Sequence, residues 1–438
     1  MLGHARETTV NTGQIFALSA LLLASGCAFS SNGPKESFDD RDDLEVLYLD
    51  AAIDNGISDE ITFDVPPGTD SMLIEVRGSS GRFYLTKFVT PTGRDLIEAS
   101  QFVTRGAREL PGLVTWLYPN APSVTPDAGE YRIIIRAEDG DGGPLDSEYL
   151  DVRVYIERDG ASTGCGLHLD VLVADDAIVA SDVGPMVDQM VSDLVDRYAL
   201  AGVLINDYTS SSITLPTADL DLGGNPARVI GEVEDVMAAA RAGGQVRSQA
   251  VHVIVVRSLG ADLRGYSMGL PGPLGSDLAT SAVLVSSSAF IDRDGFLDVA
   301  GLTETTAHEM GHYLGLYHTS EFDRTFHDPI SDTPQCTETD CPAEFWNNLM
   351  TPGSTNRSVI TAGQAAVIRN HPLCIPNGMD PIQPPPSDCN LTCEAPFTCA
   401  ILEGAATCAR ACDPNGEPCP NNAACAADVQ GKFVCSGP

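Results

Sequence analysis

His308-Glu309-Met310-Gly311-His312-Tyr313-Leu314-Gly315-Leu316-Tyr317-His318 sets three histidines and one glutamate at the spacing of a catalytic zinc site. His308 and His312 are four residues apart, so a helix turns both imidazoles onto one face. Glu309 follows the first histidine directly and can reach a water at the metal. Gly315 can take a positive φ and turn the chain out of the helix. That turn can bring His318 back to the same point from another direction. Three neutral imidazoles leave the fourth tetrahedral position open for water, as hydrolysis requires. The H-E-x-x-H core alone recurs by chance. With the glycine and the third histidine added, coincidence falls to on the order of 1 in 10⁴ or rarer.

The longer pattern resembles that of the metzincin metalloproteases. Metzincins carry a downstream turn with a methionine beneath the zinc, and Met350 in Asn348-Leu349-Met350-Thr351-Pro352-Gly353 matches it. Within the metzincins, several segments are similar to the pappalysin branch: Leu-Gly-Leu-Tyr-His-Thr, Asp332-Thr333-Pro334, the Gly-Gln of Thr361-Ala362-Gly363-Gln364, and Gly265-Tyr266-Ser267. The resemblance covers roughly residues 166–374. It implies zinc bound by His308, His312 and His318, with Glu309 as general base. Pappalysins usually carry Tyr two residues after the turn methionine. Here that position is Pro352, as in matrixin-like turns, so the branch and any tyrosine role stay open. The resemblance also implies a substrate-binding edge strand, occupied here by Gly265, Tyr266, Ser267 and Met268 within Arg264–Leu270. Pro271 and Pro273 follow and would blunt further pairing. Cys165-Gly166 is similar to the cysteine that plugs the zinc in some metzincin precursors, and on that reading the β-domain before it, residues 44–158, is a pro-segment. A disulfide is the preferred reading for Cys165, because the cysteine count is even once Cys27 is set aside and Cys165 abuts a core strand.

The chain has 438 residues, enough for two or three domains with sizeable cores. Its 61 Asp and Glu against 25 Lys and Arg give a net charge of −36, which leaves little from which to build a nucleic-acid surface. Ile15–Gly26 is an apolar run too short to span a membrane. It ends Leu23-Ala24-Ser25-Gly26-Cys27, small residues before a cysteine, like a bacterial lipoprotein signal. On that reading residues 1–26 are a signal peptide and Cys27 carries lipid. The alternative is an ordinary signal peptide and a secreted product. Either way the protein is exported, with the outer membrane or cell surface as the expected location. Dense cysteines agree with an oxidising compartment: of the 13, four lie at 165, 336, 341 and 374, and eight between 389 and 435.

Outward from the zinc stretch, the expected organisation is multidomain. Residues 27–43 form a flexible tether. Residues 44–158 hold short, mostly alternating β runs parted by turn residues, read as an antiparallel β-sandwich of the small jelly-roll kind that accompanies secreted bacterial proteases. Its Asp-rich loop 139–141 is either a calcium site or an ordinary acidic turn. Residues 159–375 alternate apolar runs with segments of helical period, as in Val183–Tyr198 and Val229–Ala240. The α/β order implies a mostly parallel twisted sheet leading to the zinc helix at about Val299–Leu314, as in a metzincin-like catalytic domain. His168 and His252 read as packed strand residues. Asp332 either holds calcium or caps a turn. Residues 376–388 are a stiff Pro-rich linker. Residues 389–438 are a Cys-rich tandem, loosely EGF-like, whose repeats are too small for a core without disulfides.

Three functions compete on these grounds. The first is a zinc endopeptidase acting on protein or peptide substrates, tethered to a membrane by lipid and offering its Cys-rich module to a surface ligand. The second is a catalytically silent scaffold used for adhesion, against which the intact Glu309 argues. The third is a structural zinc protein, against which the lack of a fourth protein ligand argues.

Overall fold

The computed structural model describes residues 41–376 except 80, 100–111, 123, 159–163, 180–181, 216–218, 223–225, 261–262, 276–280, 338 and 354–355, with the backbone of four short strands between 397 and 436. The described residues belong to one compact unit, Glu36–Pro438. The signal peptide, Cys27, most of the tether and nearly all of the Pro-rich linker lie outside the described residues.

Eight strands form the first sheet: β1 (Leu44–Asp54), β2 (Ile57–Ser58), β3 (Ile61–Val65), β4 (Thr69–Arg77), β5 (Arg82–Val89), β6 (Leu113–Tyr118), β7 (Gly129–Glu138) and β8 (Ser147–Arg158). They pair antiparallel in the order β3-β7-β2-β1-β8-β4-β6, with β5 also on β7. The expected sandwich of two sheets is therefore one continuous sheet. The reason is the length of β1 and β8. They pair from Leu44↔Glu157 to Asp54↔Ser147, and β8 pairs β4 along its other edge, so no break in the hydrogen bonding separates two sheets. The sheet curls instead, and one face of every strand but the two-residue β2 feeds a single core. Phe63, Met72, Ile74, Val76, Phe83, Trp116, Tyr131, Ile133, Val152 and Val154 share it. Alternation is clear in β7, where Tyr131, Ile133 and Ile135 are buried between less buried neighbours.

In β4, β6 and β8 both faces are buried. Leu73, Leu117 and Tyr155 point away from the sheet's own core and join the core of the second sheet, together with Leu44. Full burial of a leucine contributes roughly 1.5–3 kcal/mol.

The second sheet contains β9 (Cys165–Ala174), β10 (Val203–Ile213), β11 (Ala250–Val256), β12 (Gly265–Ser267), β13 (Ala282–Ser286) and β14 (Ile375–Pro376). Its order is β10-β9-β11-β13-β12, with β14 on β9. The pairs β10/β9, β9/β11 and β11/β13 are parallel, and β12 runs antiparallel to β13 at the edge. β11 is buried at every residue, which suits its unbroken Ala-Val-His-Val-Ile-Val-Val composition. Helices α1 (Val183–Ala199) and α2 (Pro226–Ala242) connect the strands. α1 buries Met186, Met190, Leu194 and Tyr198 at a four-residue interval. α3 (Val299–Tyr313) carries the zinc stretch, and α4 (Ala362–Arg369) follows the Met350 loop. Cys165 is bonded to Cys374, with 5.2 Å between Cα atoms, which ties β9 to the end of this region. Cys165 is thus a disulfide partner and not a zinc plug. Cys336 and Cys341 form a second, local bridge.

In the Cys-rich region the described backbone forms two hairpins, 397–402 with 405–410 and 424–427 with 433–436. Cys399 lies opposite Cys408 and Cys425 opposite Cys435, so the two sequence repeats share one register pattern.

Candidate metal centre and cleft

The zinc helix starts at Asp298, whose side chain caps the backbone N–H of Gly301. From Leu302 to Tyr313 every residue is buried, and Tyr198 of α1 donates its hydroxyl to Ala307 O at 2.9 Å. The helix ends in a Schellman motif. Gly315 N–H bonds to His312 O and Leu316 N–H to Gly311 O, with Gly315 at φ 98°. This turn delivers His318 to the face that holds His308 and His312.

The three histidines form a group whose ligand atoms lie within 4.8 Å of one another. His318 Nε2 is 3.2 Å from His312 Nε2 and 3.3 Å from His308 Nε2. Three nitrogens at zinc-bonding distance and tetrahedral angles stand about 3.3 Å apart. Each Nδ1 is turned onto an oxygen acceptor: Leu349 O for His308 at 2.6 Å, Leu316 O for His312 at 2.7 Å, and Glu321 Oε2 for His318 at 3.0 Å. An acceptor there keeps the proton on Nδ1 and leaves Nε2 as a lone pair. Three lone pairs facing one another repel unless a cation sits among them. The donor set fits zinc: three neutral imidazoles and an open fourth position.

Met350 is fully buried against the helix that carries His308 and His312. A Cβ at Gly311 would lie 2.6 Å from its sulfur, so the turn packs against bare helix backbone one residue before His312. Asn348 and Gln364 exchange two side-chain hydrogen bonds at 2.9 and 3.0 Å, and Asn348 Oδ1 also accepts from Met350 N–H. Gln364 belongs to the capping box of α4 with Thr361. Asp332 caps the same helix start, accepting from Thr361 Oγ1 and Gly363 N–H at 2.8 and 2.9 Å. Its carboxylate therefore braces the loop, and a calcium role has no support. The loop 139–141 is likewise an acidic turn, with Asp139 Oδ1 accepting from the N–H groups of Asp141 and Gly143. Asp328 is held by Thr333 Oγ1 and Ile330 N–H, and burial pushes its carboxyl up to about 7.

Glu309 accepts a hydrogen bond from Ser267 N–H at 2.8 Å, so the edge strand orients this carboxylate beside the histidines. A Cβ at Gly265 would lie 2.7 Å from Glu309 Cγ, which only glycine permits. The proposed edge is shorter than expected. The strand ends at Ser267, and Ser267 and Met268 are fully buried. Met268 N–H bonds to Ala282 O, inward to β13. Gly265 and Tyr266 remain partly exposed at the edge. Pro271 and Pro273 do not guard the edge. They lie in a buried segment beneath the first sheet, where Pro271 O accepts from Thr115 Oγ1 and Pro273 O from Tyr313 Oη.

Sequence reasoning missed several supports. Glu321, three residues beyond His318, was the legible one. Arg357 was not: it is buried, pairs with Glu304 at 3.0 Å and donates to Thr351 O at 3.0 Å. It pins the loop after Met350 to the zinc helix. His252 is buried between Ser281 O and Arg247 O, and burial pushes it below its ordinary value. His168 pairs with Asp207 at 2.5 Å. Neither histidine belongs to the metal group.

No protein-family model matches the chain, and no curated protein matches it. Among solved structures, metalloproteinase-II from Bacteroides fragilis is 14% identical, over 52% of this chain and 63% of its own, with a TM-score of 0.28. Archaemetzincin from Methanopyrus kandleri is 18% identical, over 47% and 88%, with a TM-score of 0.25. A chaperone–substrate complex is 11% identical, over 48% and 39%, with a TM-score of 0.31. The chain thus spans 63% of the Bacteroides protein and 39% of the chain in the complex. The functional reading rests on the geometry of the site.

Proposed function

We propose that the chain is an exported zinc endopeptidase of metzincin type, with residues 159–375 as the catalytic domain. The observation that carries this is the convergence of three Nε2 lone pairs, that of His318 lying 3.2 and 3.3 Å from the other two, each fixed by an oxygen on its Nδ1, with Glu309 next to His308. Zinc bound there supplies a Lewis acid and lowers the pKa of water. Glu309, aimed by Ser267 N–H, takes the proton of the attacking water and returns it to the departing amine. The substrate chain lies along Gly265 and Tyr266, pairing antiparallel with the backbone, so that affinity depends little on sequence. That pairing holds the scissile carbonyl beside the zinc. Hydrolysis of casein or gelatin by purified protein, abolished by a chelator and restored by zinc, is the expected result. Zinc-loaded protein with no hydrolysis would favour the silent scaffold instead.

The pappalysin branch, the lipid anchor on Cys27, the surface location and a ligand for the Cys-rich module belong to the same proposal. Their support is sequence: the segments that resemble pappalysins, the apolar run before Cys27, and two cysteine-rich repeats. Native protein should partition into detergent, and Cys27→Ser should release it. A soluble mature protein with a free N-terminus ends the lipoprotein idea.

A further inference from the structure

We infer that the first sheet is a permanent brace of the zinc site and not a removable pro-segment, with Leu117 as the positioning residue for the turn between His312 and His318. The inference rests on the peptidase reading only for its consequence in activity. Its basis is the seam between the two sheets.

Leu117 projects from the outer face of β6 into the core of the second sheet. A Cβ at Gly315 would lie 2.6 Å from Leu117 Cδ2, so this side chain rests directly on the backbone of the turn. Two residues on, the Tyr317 hydroxyl is hydrogen-bonded to the side chain of Asn120, which follows β6. Thr115 of the same strand donates to Pro271 O at 2.5 Å. The segment around Pro271 bonds in turn to the end of the zinc helix, through Gly272 N–H to Tyr313 O at 2.7 Å. One short stretch, Thr115 to Asn120, therefore touches the turn that carries the third histidine and the segment that follows the edge strand. Further contacts lie along the seam. Ser71 donates to Asn370 O at 2.6 Å, and Asn370 Nδ2 donates to Pro119 O at 3.4 Å.

A pro-segment that leaves must uncover the active site while the remaining protein keeps its core. Here departure would uncover Leu73, Leu117 and Tyr155 on one side and Gly315 and Pro271 on the other. It would also free the turn that sets His318, which lies on a core the two sheets share.

A recognition sequence for a site-specific protease, inserted between Arg158 and Cys165 of the full chain, tests this. After one cut, the two pieces should co-elute in native buffer, separate only in denaturant, and retain zinc at the uncut level. A sheet that departs in native buffer, leaving a soluble zinc-loaded remainder, overturns the inference. If neither cut nor uncut protein hydrolyses casein, the peptidase reading fails, while co-elution and zinc content still decide this one. For positioning, zinc affinity is compared in three full-length variants. Leu117→Ala should weaken zinc about tenfold, and Leu117→Met should stay near wild type. Phe63→Leu, in the sheet's own core, should lower thermal stability without moving zinc affinity. Unchanged zinc affinity in Leu117→Ala, or an equal loss in Phe63→Leu, overturns the role of Leu117.

Discussion

At the scale of residues, Glu309 and His312 separate base from ligand. Glu309 receives Ser267 N–H and lies outside the histidine group, so Glu309→Gln should keep zinc and lower turnover by roughly 10²- to 10⁴-fold. Wild-type turnover in that variant would remove Glu309 as the base. His312→Ala takes away one of the three nitrogens and should lose the metal, read by elemental analysis. The partners of the Nδ1 atoms matter in the same way, because a ligand's orientation is set by its other nitrogen. Glu321→Ala is expected to weaken zinc less than His312→Ala, since Glu321 is partly exposed and acts only through His318.

At the scale of elements, the helix–turn–histidine unit depends on one backbone conformation. Gly315 has φ 98°, where a side chain costs roughly 1–2 kcal/mol, and an added Cβ would also meet Leu117. Gly315→Ala should therefore lower both melting temperature and zinc affinity. In a Leu117→Ala background, Gly315→Ala should cost less stability than it does in wild type, because the collision is gone and the backbone strain is what it still adds. An equal cost in both backgrounds would mean that the collision is not what limits the turn. The edge strand makes a separate prediction. Tyr266 lies opposite Leu284, and the alternation set by Met268 N–H to Ala282 O turns the backbone of Gly265 away from β13. A zinc-chelating peptide inhibitor should lose affinity when the amide opposite Gly265 is N-methylated. An unchanged inhibition constant after methylation of every amide rules out strand pairing.

At the scale of the whole molecule, the seam carries a titratable group. Glu157 is fully buried at the end of β8, with its Oε2 3.1 Å from Ser71 Oγ and its Oε1 3.7 Å from Arg41. Burial pushes its carboxyl up to about 8, from an ordinary value of 4.5, with Arg41 opposing. The folded state therefore binds the proton more tightly than the unfolded state. Its contribution to stability is whole below about pH 4.5 and is lost as pH rises through about 8. Glu157→Gln should melt a few degrees higher than wild type at pH 9, with the gap closing toward pH 5. A gap that widens on acidification would contradict the sign of the shift. The disulfide Cys165–Cys374 acts at this scale too. It closes a loop of 209 residues, and its loss should cost on the order of 4 kcal/mol, seen as a lower denaturant midpoint in Cys374→Ser.

What the sequence determined by itself is what repeats within a few residues. The four-residue interval of His308 and His312, the glycine that ends their helix, the unbroken apolar run of β11 and the stripe of α1 are local, because helix and strand geometry set their period. Tertiary structure decided which surface covers each face. β4 and β8 belong to the runs that read as mostly alternating strands of a sandwich, yet the second sheet covers their outer faces. The long pairing of β1 with β8 makes one curled sheet where two were expected. Leu316 and Glu321 lie within four residues of the histidines they hold, but the acceptor on His308 comes from Leu349, 41 residues beyond it, and Arg357 reaches Glu304 across 53 residues. No local period encodes such contacts. They follow from packing the chain's distant parts against one helix, where each buried polar group must find a partner.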